Sequence, residues 1–190
     1  MRFLTGSTIS RVGAMLVGLA RRACPPSMRI WKTVRDMTDR PIALITGGAQ
    51  GIGYACAEAL AEDGYFPVLA DLKDAVTDAA LALGGQGYIC DMGDVAAVDA
   101  MIDRVEAGHG PVSALVNTAG IAMPGDFLSY DLAHFERVLD VNLRGVFVAT
   151  QRVAKTMVAQ QIDCAIVNMA SIIAQVVSPP SRPTARRKAA

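Results

Sequence analysis

A short apolar run followed at once by a glycine-rich turn constrains this chain more than any other feature. Residues 42–45 read Ile-Ala-Leu-Ile, and the segment Thr46-Gly47-Gly48 ends the run. A continuous apolar run of this length is typical of a strand buried in a parallel sheet. Small and apolar residues at helical spacing follow from Ile52 onward. We therefore predict a strand, a tight turn and a helix over residues 42–60.

The turn has the chemistry of an anion site. Gly47, Gly51 and Gly53 are spaced as T-G-x-x-x-G-x-G. Such a turn before a helix presents backbone N–H groups and the positive end of the helix dipole to a diphosphate. Glycine suits it because a Cβ would hold the anion away and because such turns often need a positive φ. Tyr54 stands where a P-loop needs lysine, which excludes that class of ATP site. An ordinary turn between strand and helix is the alternative.

Strand and helix patterns alternate through the rest of the chain. Further strands are predicted at residues 66–70, 87–90, 114–117 and 164–168, and helices at 73–83, 95–107 and 131–160. Strands that alternate with helices form a parallel sheet with right-handed crossovers. The predicted fold class is therefore α/β, a doubly wound parallel sheet of the Rossmann type.

Composition excludes several functional classes. The formal net charge is zero and 52% of residues are apolar, so neither nucleic acid nor disorder is indicated. No apolar run reaches the roughly 18 residues that a membrane span needs. The four cysteines are widely spaced without a C-x-x-C pair, which favours free thiols over a disulfide or metal framework. We expect small-molecule partners, no metal and a cytoplasmic location.

The two ends differ from the middle. Residues 1–36 contain seven arginines or lysines and no acidic residue before Asp36. A mitochondrial presequence and a secretory signal are alternatives, but we favour an extension outside the fold, with Met37 as the natural start. Residues 37–178 are predicted to form the domain. Residues 179–190 are predicted to be an irregular basic tail, because three prolines disfavour a helix there.

Asp71 ends the second predicted strand, twenty residues beyond Gly51. An acid at this place in a dinucleotide fold accepts hydrogen bonds from the adenosine ribose and repels a 2′-phosphate. Gln50 also favours a cofactor without a 2′-phosphate, since a basic residue there would help to bind that phosphate. Lys73 is weak evidence in the opposite direction. NAD is therefore favoured over NADP. The alternative role for Asp71 is a cap of the next helix.

Four segments resemble motifs of the short-chain dehydrogenase/reductase family, in that family's order: residues 46–53, 117–120, 142 and 168–171. The resemblance covers about residues 38–178. Residues 143–145 are similar to the 3-oxoacyl-carrier-protein reductase subgroup. The resemblance implies hydride transfer between NAD(H) and a small carbonyl or alcohol substrate, in a homo-oligomer.

The resemblance also implies roles for single residues. Asn142 and Ser171 would be catalytic, Ser171 by a hydrogen bond to the substrate oxygen and Asn142 by positioning a water. For Asp91, a turn carboxylate is nearly as good an interpretation as an adenine contact. The implied cofactor-binding residues are Gly47, Gln50, Gly51, Ile52, Gly53, Asp71, Asp91, Met92, Asn117, Ala119 and Gly120.

Periodicity gives a separate argument for Asn142. It falls on the stripe predicted to be buried in the long helix, so its amide should be paired with backbone groups or an ordered water. The stripe comprises Phe135, Val138, Leu139, Leu143, Val146, Phe147, Val153 and Met157.

The family pattern breaks near the end of the chain. The mechanism that the resemblance implies needs a tyrosine four residues before a lysine, and the family spacing brings these positions to Thr184 and Lys188. Lys188 therefore matches as a catalytic lysine, but the acid/base is absent, which typically costs ~10²–10⁴ in rate. We expect an incomplete sheet at the C-terminal end and an inactive chain as written. A non-catalytic NAD-binding fragment is the alternative function.

Overall fold

The computed structural model describes residues 40–162 and 164–171. The described residues form five strands and five α-helices, and the predicted alternation holds except that two helices, joined by a π-helical turn, stand where one long helix was predicted. The predictions for residues 1–36 and 179–190, including Lys188 and Thr184, lie outside the described residues. The strands are β1 Ile42–Thr46, β2 Phe66–Asp71, β3 Gln86–Ile89, β4 Val112–Asn117 and β5 Ala165–Asn168. The helices are α1 Gly51–Glu62, α2 Val76–Ala82, α3 Val95–His109, α4 Leu132–Leu139 and α5 Val146–Ala159.

All five strands are parallel and lie in the order β3-β2-β1-β4-β5. The chain runs outward from β1 through β2 to β3, and then crosses to β4 on the other side of β1. This reversal creates a crevice at the carboxyl ends of β1 and β4, where open α/β sheets bind ligands. The fold is therefore the predicted doubly wound, Rossmann-type sheet.

Two apolar layers cover the two faces of the sheet. Alternate residues of β1 belong to different layers, because successive side chains of a strand point to opposite faces. Leu44 packs in the layer beneath α3 and α5, together with Ile102 and Val153. Ile45 packs in the layer beneath α1 and α2, together with Cys56. Helices on both faces explain why β1 is buried along its whole length.

The long helix predicted over residues 131–160 contains a π-helical turn, Asp140–Gly145, between α4 and α5. Its buried face differs from the predicted stripe. Val153 and Met157 are buried as predicted, whereas Phe135, Leu143 and Phe147 are 50%, 64% and 60% exposed. The buried line runs instead through smaller residues four apart: Val141, Gly145, Ala149, Val153 and Met157.

Close packing explains this correction. A Cβ added to Gly145 would lie 1.9 Å from the carbonyl oxygen of Met92. Only a small side chain allows the helix to approach the loop after β3 so closely. The larger apolar residues of the predicted stripe therefore lie on the neighbouring, outward face.

Two further findings concern the helices and the cysteines of the described part of the chain. None of its helices combines the length and apolar character that crossing a bilayer would take. Cys56 and Cys90 are free and buried, and Cys164 is free but exposed. Burial raises the pKa of the Cys56 thiol, and burial beside Asp91 and Asp94 raises the pKa of Cys90 to about 11.

Candidate functional site

The glycine-rich turn after β1 is held by contacts within the turn itself. Gly47 and Gly51 have positive φ values of 68° and 61°, which L side chains rarely adopt. A Cβ at Gly53 would lie 2.1 Å from the carbonyl oxygen of Gly47. A Cβ at Gly47 would lie 2.8 Å from the backbone nitrogen of Ala119. Gly47 and Gly53 therefore have no room for a Cβ, whereas at Gly51 it is the positive φ that favours glycine.

The N-terminus of α1 opens directly onto this turn. Gln50, the N-cap residue, makes no side-chain capping hydrogen bond within the described residues. By contrast, Asp94 accepts hydrogen bonds from backbone N–H groups that begin α3, and Asp131 does the same for α4. The first N–H groups of a helix have no partner within the helix. Those of Gly51 and Ile52 are accordingly available to an anion at this end of α1.

Asp71 lies against the same turn. Its Oδ2 accepts a hydrogen bond from the backbone nitrogen of Ala49 at 3.1 Å, and its Oδ1 accepts one from the nitrogen of Lys73 at 3.1 Å. The carboxylate is only partly buried, so each oxygen keeps acceptor capacity toward the site. An acid and an uncapped helix N-terminus therefore meet at the carboxyl ends of β1 and β2.

The loops after β1 and β4 are tied to each other. The Thr118 hydroxyl donates to the carbonyl oxygen of Thr46. The backbone nitrogen of Ala119 donates to the Thr46 hydroxyl at 3.2 Å. These bonds place residues 117–120 at the crevice where the strand order reverses. Gly120 is exposed there, as a residue beside a ligand must be.

Asn117 has its side chain inside the protein and not in the crevice. It is 2% exposed, and its Nδ2 donates to Asn168 Oδ1 at 2.8 Å and to the Thr150 hydroxyl at 3.2 Å. Its Oδ1 is buried without a hydrogen-bond partner in the described residues. The amide thus joins β4 to β5 and α5. Only the backbone of Asn117 lies near the cofactor position that the resemblance implies.

Asn142 stands in the π-helical turn and is exposed, which corrects the prediction that it is buried. Its amide is paired with backbone groups, as expected: Oδ1 accepts from the nitrogen of Ile121 and Nδ2 donates to the carbonyl oxygen of Ile121, both at 2.8 Å. The side chain fastens the helix to the loop after β4. π-Helical turns are frequent at functional sites.

Asp91 follows β3 and forms an ion pair. Arg137 Nη2 lies 2.9 Å from both carboxylate oxygens, and the backbone nitrogen of Gly93 donates to Oδ1 at 2.8 Å. Partial burial raises the pKa of the Asp91 carboxyl, but the Arg137 and Gly93 hydrogen bonds outweigh it and hold this pKa below its usual value. The Met92 side chain is 4% exposed in the core, so only its backbone can face a ligand.

Ser171 follows β5 and is exposed at the carboxyl edge of the sheet. The topology therefore brings Ser171 to the same edge as Asp71 and residues 117–120. Lys188 lies outside the described residues. Among the described residues, no three His, Cys, Asp or Glu side chains are grouped so that they could hold a metal ion.

Three contacts of this site were not predicted from the sequence. They are the Arg137 pair with Asp91, the Ile121 partner of Asn142, and the Asn168 and Thr150 partners of Asn117. Each joins residues at least 21 positions apart in the chain. The sequence of the helix that carries Arg137, Leu-Ala-His-Phe-Glu-Arg-Val-Leu, gave no signal for the first of these contacts.

The family model described as short chain dehydrogenase matches residues 41–183 of this chain. The chain belongs to the short-chain dehydrogenase family. Galactitol 2-dehydrogenase of Rhizobium johnstonii is 37% identical over 150 residues, which cover 75% of this chain and 58% of that protein. D-threitol dehydrogenase of Mycolicibacterium smegmatis is 40% identical over 144 residues, which cover 73% and 55%.

Solved structures agree with this membership. The crystal structure of gox2181 matches with a TM-score of 0.70 and 31% identity, over 75% of this chain and 58% of that one. This chain thus spans somewhat more than half the length of these three proteins. Members of the family bind nicotinamide cofactors, and the glycine-rich turn, α1 and Asp71 are the residues here that fit such a group.

Proposed function

We propose that this chain binds NAD(H) at the glycine-rich edge of its sheet and serves hydride transfer between NAD(H) and a small carbonyl or alcohol substrate. One observation carries the proposal: Asp71 Oδ2 lies 3.1 Å from the Ala49 nitrogen, inside the turn that leads into α1. A carboxylate at that place suits the two ribose hydroxyls beside a diphosphate.

The charge of Asp71 also favours NAD over NADP. A 2′-phosphate bound there would face the carboxylate at short range, and like charges at short range disfavour binding. The N–H groups at the start of α1 would hold the diphosphate. Gln50 adds no positive charge that would offset the repulsion of a 2′-phosphate.

The remaining residues would act on the substrate side. When bound, the dinucleotide supplies or accepts the hydride. The Ser171 hydroxyl would donate a hydrogen bond to the substrate oxygen and so orient the carbon that reacts. Both polar groups of the Asn142 side chain are bound to Ile121, so this residue would order one wall of the site and would not move a proton through its side chain.

A second candidate, binding without turnover, rests on one sequence observation. The tyrosines are Tyr54, Tyr65, Tyr88 and Tyr130, and none stands four residues before a lysine. A positioned general acid contributes ~10²–10⁴ to the rate. This 190-residue chain would then bind the cofactor without measurable turnover.

The relatives suggest a first set of substrates. Two of those reported are named for galactitol and D-threitol, which are polyhydroxy alcohols. We therefore propose a polyol, or the ketose formed from it, as the substrate class to test first. The likeness of residues 143–145 to 3-oxoacyl-carrier-protein reductases stays a prediction, and a 3-oxoacyl thioester belongs in the same panel.

Titration of the chain with NADH and NADPH, followed by nicotinamide fluorescence, tests binding. We expect NADH to bind at least about tenfold more tightly than NADPH. Equal affinity would refute the NAD preference, and binding of neither would refute the function. Turnover of the polyol panel with NAD⁺ then separates the two candidates: turnover supports the enzyme, and binding without turnover supports the second candidate.

Asp71→Asn tests the residue that carries the proposal. The amide oxygen can still accept from Ala49, but the negative charge is lost and the amide nitrogen cannot accept from Lys73. We expect weaker NADH binding and a smaller preference over NADPH. Asp74→Asn is the matched control, because it removes the same charge from an exposed residue just beyond β2 and should leave both affinities unchanged. Equal effects of the two variants would mean that net charge decides the preference.

A further inference from the structure

The ion pair between Arg137 and Asp91 crosses from α4 to the loop after β3. A single guanidinium nitrogen, Nη2, lies 2.9 Å from both carboxylate oxygens. Oδ1 also accepts from the nitrogen of Gly93, whereas Oδ2 accepts from no second donor in the described part of the chain and keeps a lone pair. Arg137 therefore fixes the direction of the carboxylate without using up its capacity to accept.

The pair lies beside the proposed ribose site. Asp71 is paired in register with Ile89, and the Cys90 nitrogen donates to the Asp71 carbonyl oxygen at 2.9 Å. Asp91 is the next residue along this edge. A dinucleotide whose ribose lies at Asp71 would thus have its adenosine half next to residues 91–93, on the side of the sheet away from β4 and β5.

Hydrogen bonds within the loop, from the Gly93 nitrogen to Asp91 Oδ1 and from the Asp94 nitrogen to the Asp91 carbonyl oxygen, order residues 91–93 locally. The other contacts of these residues with the long helix are packing contacts. Gly145 packs on the carbonyl oxygen of Met92, and the position of a Cβ on Gly93 lies 3.1 Å from Val141 Cγ2. These contacts are short-range and carry no charge. The Arg137 hydrogen bonds are the directional link between the long helix and this loop, since charge-assisted bonds are both stronger and more specific in geometry than neutral ones.

We propose that Arg137 is a positioning residue for cofactor binding, which holds the Asp91 carboxylate and residues 91–93 as the wall of the adenosine site. The proposal rests on the proposed function, because it requires that the chain bind a dinucleotide. Arg137 acts through Asp91 and touches no ligand itself. Its loss leaves the Asp91 side chain with the Gly93 hydrogen bond alone, so Oδ2 can turn away from the site, while the turn at Gly47–Gly53 and the Asn142 pair stay in place.

Three variants of the full chain test this role. Arg137→Met removes the hydrogen bonds. Arg137→Lys keeps one nitrogen that can reach both oxygens, since only Nη2 makes the contact. Gly93→Ala keeps both charges but pushes them apart, because its Cβ would lie 2.2 Å from Arg137 Nη1. The φ of Gly93 is not positive, so alanine adds no backbone strain there. Arg144→Met is the matched control, since Arg144 pairs with Asp140 within the same helix and is 62% exposed.

Binding is measured with ADP-ribose, which contains the adenosine half, and with nicotinamide mononucleotide, which lacks it. We expect Arg137→Met and Gly93→Ala to lower the affinity for ADP-ribose about tenfold. Arg137→Lys should lower it only about threefold. Nicotinamide mononucleotide should bind all variants equally, and Arg144→Met should match the unaltered chain with both ligands.

Several outcomes would overturn the proposal. Unchanged ADP-ribose affinity in Arg137→Met, no recovery in Arg137→Lys, or an equal loss for both ligands would each reduce Arg137 to a structural residue. If thermal unfolding shows that Arg137→Met is not folded, the affinity of Gly93→Ala for ADP-ribose tests the proposal in its place, because that variant retains both charges. If the unaltered chain binds neither ADP-ribose nor NADH, the proposed function fails and this proposal with it, whereas normal binding by both the chain and its variants refutes the role of Arg137 alone.

Discussion

Gly53 packs against the backbone of its own turn, and this contact decides what can stand at position 53. The missing Cβ makes room for the carbonyl oxygen of Gly47 and for the Thr118 hydroxyl. The backbone of this turn, which would face a diphosphate, therefore owes its conformation to the close contact between Gly53 and the Gly47 carbonyl oxygen. A larger residue at position 53 would change the turn before it touched any ligand.

We expect Gly53→Ala to destabilise the chain by about 1–3 kcal/mol, since the added methyl overpacks a rigid backbone contact, and to abolish NADH binding. Gly108→Ala is the matched control: it lies in α3, a Cβ there meets nothing within 4 Å, and alanine in a helix should stabilise by roughly 0.5–1 kcal/mol. Urea unfolding measures both changes. Equal effects of the two substitutions would contradict this account.

At the scale of elements, the long helix shows what a sequence pattern can and cannot determine. Apolar residues at helical spacing correctly predicted one helical run from Asp131 onward. They did not predict its buried face. The pattern shows which residues are apolar, whereas close packing leaves room only for small residues at Gly145 and Ala149. The π-helical turn also alters the spacing that a period of 3.6 assumes. Contacts to distant loops, and not local preference, set the orientation of this helix.

The ion pair between α4 and the loop after β3 should make stability depend on pH. The pKa of Asp91 is lowered in the folded chain, so its contribution is present above the unfolded pKa of about 3.9 and is lost as the pH falls through the folded value. We expect Asp91→Asn to be less stable than the unaltered chain at pH 6, and the difference to shrink below about pH 4.

Urea unfolding from pH 6 to pH 3 measures that difference. The control is Asp140→Asn, which breaks an i,i+4 pair with the 62% exposed Arg144 within one helix and should cost no more than about 0.5 kcal/mol. A gap between Asp91→Asn and the unaltered chain that stays constant with pH would show that the Asp91 charge is not the cause.

At the scale of the molecule, the doubly wound sheet followed from the order of apolar runs and turns. Buried parallel strands are apolar along their whole length, so β1 and β4 were visible in the sequence, and so was the acid that ends β2. The partners of Asn117, Asn142 and Asp91 were not visible, because each comes from a distant part of the chain. Pairing of this kind depends on the completed fold, which periodicity does not specify.

The outward face of the long helix consists of Leu132, Phe135, Leu139, Leu143 and Phe147, which are 37–66% exposed. Contiguous apolar surface of this kind marks interaction sites, and the family resemblance predicts a homo-oligomer. We expect the chain to self-associate with rising concentration in sedimentation velocity, and Leu143→Glu combined with Phe147→Glu to keep it monomeric.

Because both side chains are exposed, each substitution should change the unfolding free energy of the monomer by no more than about 0.5 kcal/mol. Val153→Ala, on the buried face of the same helix, should cost about 1–3 kcal/mol and leave association intact. A parent chain that stays monomeric at every concentration would refute the oligomer prediction, and loss of folding in the double variant would show that this face is needed within one chain.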